Sequence, residues 1–254
     1  MKGEPLRHDF GSGEVAAYRW INADGQEGGI VAESARVDDT ASIGAGATID
    51  DEATIGAGAS IGAGATIGEG AVITRWASIS QNARIGQNAR IGADVRVGDG
   101  ARVGNDAYIG NDTFIGEGAG VGDGARIGRR AIIGKDARVW AGAIIGKGVR
   151  VGTDSCIVAG AYISDGVSID ADDWYLSGGP CGSRQAMWTA VHSHKYGLRW
   201  WIGCQCAIST KELLKRVRDT HGEDSEHAQA YRHAVLFVTT HPKYLERIAQ
   251  GAKE

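Results

Sequence analysis

The residues with the clearest chemical potential lie after position 170. Six of the seven histidines fall there, together with Trp174, Trp188, Trp200, Trp201, Cys181, Cys204 and Cys206. His227 and Tyr231 are four apart, so a helix places them on one face, and His221 stands just before that helix. The run Gly178-Gly179-Pro180-Cys181-Gly182-Ser183-Arg184 sets backbone N–H groups beside a hydroxyl and a guanidinium, a combination suited to carboxylate or phosphate. It lacks the spacing and the lysine of a phosphate loop, and a plain turn is the alternative. Ser183, Arg184, His221, His227 and Tyr231, with Trp188 for stacking, form the candidate pocket for a small anionic, nucleotide-like ligand. His192-x-His194 and Cys204-x-Cys206 carry zinc-ligand types, but not at the spacing of a known finger, so neither metal nor cofactor is expected. A Cys–His nucleophilic pair from Cys204 or Cys181 with His192 or His221 has no orienting motif behind it.

These residues need a support, and the preceding stretch supplies one. From Val31 to Ile169 every sixth residue is Val or Ile. Two positions earlier lies a nearly all-small register, Ala35, Ala41, Ala47 and onward, with Val95, Thr113, Val149, Ser155 and Val167 as its larger members. Gly follows most of the aliphatics, as at Ile43-Gly44 and Val103-Gly104, where a positive φ is the expected reason. A period of six suits neither a helix nor a simple strand. Short extended segments turning a corner every six residues close a triangular coil of eighteen, giving about eight coils and, at roughly 4.8 Å per coil, a prism about 38 Å long.

This aliphatic-Gly-x-x-small-x unit resembles the hexapeptide-repeat family of left-handed parallel β-helices. The resemblance implies the left hand, which the usual crossover rule would reverse, and a homotrimer. The fold class expected is therefore mainly β: a left-handed parallel β-helix over residues 30–170, an N-terminal cap over 1–29 bearing Tyr18 and Trp20, and a small α+β domain over 171–254. Within that last part, Met187 to His192 and Leu198 to Ile208 read as strands, with helices from Ser209 or Thr210 to His221, from Ser225 to Val238, and a short third one from Lys243 to Ala249.

Grouping the residue before each aliphatic by eighteens gives three outward faces. The first reads Arg36, Thr54, Val72, Arg90, Tyr108, Arg126, Ile144, Tyr162; the second Ser42, Ser60, Ser78, Arg96, Phe114, Ile132, Arg150, Ser168. The third, Thr48, Thr66, Arg84, Arg102, Gly120, Arg138, Cys156, carries nothing apolar larger than cysteine. Two partly apolar faces suit a three-fold assembly, with Trp76, Tyr108, Phe114, Ile132, Trp140, Ile144 and Tyr162 as interface candidates.

Acyltransferases of the resembled family use a histidine to deprotonate the acceptor. None occurs here between Asp9 and Val191, so the rod reads as catalytically inert and the chain leans away from being an enzyme. The tail also resembles a module of bacteriophage and prophage hexapeptide-repeat proteins, through Gly179 to Arg184, Gly203-Cys204, and Thr220-His221-Gly222 with His227 and Tyr231. Together these lead to a non-enzymatic, phage-encoded trimer that sequesters a nucleotide-like ligand or blocks a host-defence protein. The alternatives are an acyltransferase using His221 or His227, and an architectural virion component. The formal net charge of −4 argues against duplex nucleic acid. Met1 to Phe10 is charged, without the apolar segment of a signal peptide or a membrane span, so the cytoplasm, that of the host if phage-encoded, is expected.

Overall fold

A computed structural model describes residues 2–11, 13–181, 186–193, 197–202 and 205–241. Three antiparallel strands open the chain, β1 (Lys2–Asp9), β2 (Glu14–Ile21) and β3 (Glu27–Ala32). Two-residue strands follow at six-residue spacing, from β4 (Arg36–Val37) to β26 (Ser168–Ile169). Each pairs in parallel with the strand eighteen residues away, as Arg36 with Thr54 and Arg126 with Ile144. Three sheets result, and the three outward rows of the sequence are their three faces. The rod is a left-handed parallel β-helix of about eight coils.

Side-chain alternation explains the composition. In each pair of strand residues the aliphatic points inward, and nearly all of these are under 4% exposed. The preceding small register is buried as well, with Ala at most corners. Where it turns polar, the hydroxyl is satisfied: Thr113 donates to the Gly128 carbonyl at 3.1 Å and Ser155 to that of Ile169 at 3.4 Å. The glycine after each aliphatic has a different cause from the one expected. At Gly44 a Cβ would lie 2.5 Å from the Ala63 nitrogen of the next coil, so close approach of backbones excludes a side chain. Positive φ falls two residues later, at Gly46 but also at Asn82, Asp94 and Asp112, types that tolerate the left-handed region.

At the N-terminal end β3 is the adapter, antiparallel to β2 and parallel to the Thr48–Ile49 strand. Tyr18 and Trp20 are buried there over the first coil.

The other end is closed by a four-stranded antiparallel sheet, β27 (Trp174–Cys181), β28 (Ala186–Ser193), β29 (Gly197–Ile202) and β30 (Gln205–Ile208). Two differences from the sequence reading stand out. Trp174–Cys181 is a strand, and the stretch expected to run unbroken from Leu198 to Ile208 is two strands. The sheet is buried on both faces, so its alternation of polar and apolar residues is weak. Val191 and Trp201 join the rod's core, while Trp188, Ala190, Trp200 and Ile202 pack beneath two helices. Thr189, fully buried, fixes the joint: its hydroxyl accepts from the Ser164 N–H at 3.0 Å and contacts the Tyr162 carbonyl at 3.2 Å. The Tyr175 hydroxyl accepts from the Val158 N–H at 2.9 Å, and burial pushes that phenol upward.

The helices are α1 (Thr210–His221) and α2 (Glu226–Thr239). Ser209 and Ser225 cap them, each hydroxyl accepting a backbone N–H, from Glu212 and Ala228 respectively. Gly222 ends α1 at φ 77°. Ser209→Ala should therefore lower the unfolding free energy by about 1 kcal/mol in denaturant titration. The helix expected over Lys243 to Ala249 lies outside the described residues.

Candidate functional site

The turn from α1 to α2 brings three of the expected residues together. His221 is the last residue of α1, and Gly222 reverses the chain so that Ser225 can cap α2 with His227 in its first turn. The His221 and His227 rings meet edge to face, with centroids 5.3 Å apart. Tyr231, one turn further along α2, stacks on His221 at 6.3 Å and 19°. All three are half-buried, so an outside molecule can reach the cluster. Two imidazoles beside a phenol can accept and return a proton.

Trp188 does not share this position. Trp188 is 6% exposed and packs on Trp200 at 5.7 Å beneath the helices, where the sheet's second face needs large apolar groups. It has no open face for stacking. Ser183 and Arg184 lie outside the described residues, as do His194 and Cys204 of the zinc reading. Among the described residues no group of three or more His, Cys, Asp or Glu could hold a metal.

Along the rod, Tyr108, Phe114, Trp76, Trp140 and Ile144 are exposed, whereas Ile132 and Tyr162 are half-buried. Tyr108 and Phe114 occupy one coil on adjacent faces. Trp76 sits at the corner those two faces share, its ring lying over Gly58 of the coil before. Trp140 stands at a different corner, its indole N–H donating to the Cys156 thiol at 3.1 Å.

Comparison with known protein families bears on the rod alone. Residues 40–75 match the family model described as bacterial transferase hexapeptide (six repeats), and residues 69–172 match the GMPPB C-terminal domain. Both matches fall on the rod. No curated protein matches the chain. One similar solved structure is the UDP-N-acetylglucosamine O-acyltransferase of Moraxella catarrhalis, 21% identical, with 56% of this chain and 65% of that one covered and a TM-score of 0.43. The acetyltransferase domain of PglB from Neisseria gonorrhoeae is 20% identical over 55% of this chain and 53% of its own, with a TM-score of 0.30. The UDP-N-acetylglucosamine acyltransferase of Francisella novicida is 16% identical over 79% and 89%, with a TM-score of 0.36. This chain spans just under two-thirds of the Moraxella enzyme and about half of the Neisseria domain. At these identities the likeness concerns the fold alone.

The matches to the bacterial transferase hexapeptide and GMPPB C-terminal domain models overturn the expectation of a non-enzymatic phage-encoded binder, and nothing found supports the phage module or a host-defence partner. That expectation took the lack of rod histidines as a lack of catalysis, although an appended domain can supply a proton acceptor to a rod that only binds. No helix among the described residues is long and apolar enough to cross a membrane.

Proposed function

We propose that this chain is an acyltransferase of the hexapeptide-repeat type, in which His221 or His227 serves as general base toward an acceptor hydroxyl or amine. The observation that carries the reading is the match of residues 40–75 of the rod to the bacterial transferase hexapeptide model, joined to the His221–His227–Tyr231 cluster beyond the rod's other end. In the step envisaged, one imidazole takes the acceptor's proton as its oxygen or nitrogen attacks the thioester carbonyl of an acyl-coenzyme A. The carbon–sulfur bond breaks, and the departing thiolate receives the proton back. The rod's part is to hold the reactants, since its side chains offer no histidine. Release of free coenzyme A thiol on mixing the protein with an acyl-coenzyme A panel and hydroxyl or amino sugars tests this. Absence of acceptor-dependent release across the panel rejects it.

Three rods associating through the first and second faces would cover the exposed Tyr108, Phe114 and Ile144. The double substitution Tyr108→Glu with Phe114→Glu is expected to convert a trimer into monomers in sedimentation velocity, because charge would enter an apolar contact. A wild type that sediments as a monomer at every concentration removes the assembly.

A further inference from the structure

The third face of the rod carries a feature that the acyl-transfer reading leaves unused. Arg84 and Arg102 are paired in register on neighbouring strands, and Gly120 lies between Arg102 and Arg138 in the same sheet. All three arginines are exposed, and among the described residues none has an acid within ion-pair distance. At the rod's corners some cations do find partners, Arg129 and Arg130 reaching Asp112 and Lys135 holding Glu117 at 3.0 Å, whereas the outward arginines of all three faces have none among the described residues. Like charges directly opposite across a strand pair are destabilising, so the ladder does not help the rod fold.

Gly120 makes the ladder a site rather than a charged patch. It is the one outward position in the three faces without a side chain. Packing does not demand that glycine, since a Cβ there would meet nothing within 4 Å, whereas at Gly110 one would strike the next coil's backbone at 2.7 Å. Adjacent strands are about 4.8 Å apart, so the two arginines stand about 10 Å apart at their backbones across an open slot. A tetrahedral oxyanion seated over Gly120 can take planar, forked donors from both sides. Exposed Asp99 and Asp106 lie at the corners on either side of the Arg102 strand.

We infer that Arg102, Gly120 and Arg138 form a binding notch for a phosphate or sulfate group, extended by Arg84 for ligands carrying more than one. The inference is independent of acyl transfer, and its readout is binding alone. The full chain is titrated calorimetrically at low salt with inorganic phosphate, sulfate and tripolyphosphate. Saturable binding is expected for phosphate or sulfate, tighter for tripolyphosphate. Arg102→Gln and Arg138→Gln should each weaken it at least tenfold. Gly120→Leu changes no charge yet fills the slot, and should weaken binding as much while leaving the thermal midpoint in place. Arg90→Gln, on the first face, should change affinity less than twofold. The notch is refuted if no probe binds saturably, if Gly120→Leu binds like the wild type, or if Arg90→Gln weakens binding as much as Arg102→Gln does.

Discussion

Replacing Ile145 by alanine is expected to lower the unfolding free energy by about 2–5 kcal/mol, while the same change at its neighbour Ile144 costs no more than about 0.5 kcal/mol in the isolated rod. The residues are chemically identical and adjacent, yet Ile145 is 1% exposed and Ile144 is 43% exposed. Inside the triangular coil, Ile145 stacks between Ile127 and Ile163 of the coils on either side, so truncation leaves a void bounded by backbone that cannot collapse. Ile144 lies between Arg126 and Tyr162 on the first face and loses only partial burial. Denaturant titration of both variants at several protein concentrations checks this. A loss at Ile144 that appears only at high concentration would place that residue in an assembled interface. Equal losses at all concentrations would mean that the inward register is wrongly assigned.

The rod was legible because one physical requirement repeats at every corner. An inward branched aliphatic and a small partner two positions earlier define each side, and three sides per coil fix which outward residues share a face. The purpose of the glycines was less legible. A sequence shows that glycine follows Ile43, but whether it answers a left-handed φ or a close neighbour depends on where the next coil passes. The same holds for Trp174–Cys181. A strand covered by a rod on one side and helices on the other loses the alternation that marks a half-exposed strand, and Gly178, Gly179 and Pro180 disguise it further. The helix limits were readable, since Ser209, Ser225 and Gly222 are local signals that act within one turn. The clustering of these side chains was readable in part: the four-residue spacing of His227 and Tyr231 predicts a shared face. The approach of His221 depends on the Gly222 reversal between the helices. Trp188 was misplaced because an indole in a strand can face either side, and its neighbours Trp200 and Ile202 turn that side into core.

Substitution of the tail histidines should have the largest effect on catalysis. If one imidazole is the general base, His221→Gln or His227→Gln should reduce kcat for acyl transfer by about 10²–10⁴-fold, with a smaller change in KM for the acyl donor. Glutamine keeps the bulk and a hydrogen-bonding end but cannot carry the proton, so the loss isolates base chemistry from packing. The two positions differ in surroundings, and their variants need not behave alike. His221 lies against both His227 and Tyr231, so removing its ring also removes the stacking partner of the phenol. His227 touches His221 at the opening of α2, where the cap rests on Ser225 rather than on the imidazole. A base at His227 therefore predicts that His227→Gln abolishes turnover with the α2 fold intact by circular dichroism, while His221→Gln retains part of it. A base at His221 predicts the reverse order. Tyr231→Phe distinguishes an orienting phenol from a packing one, because it keeps the stacked ring and removes only the hydroxyl. Full retention of kcat in both histidine variants would mean that proton transfer takes place away from the α1–α2 turn.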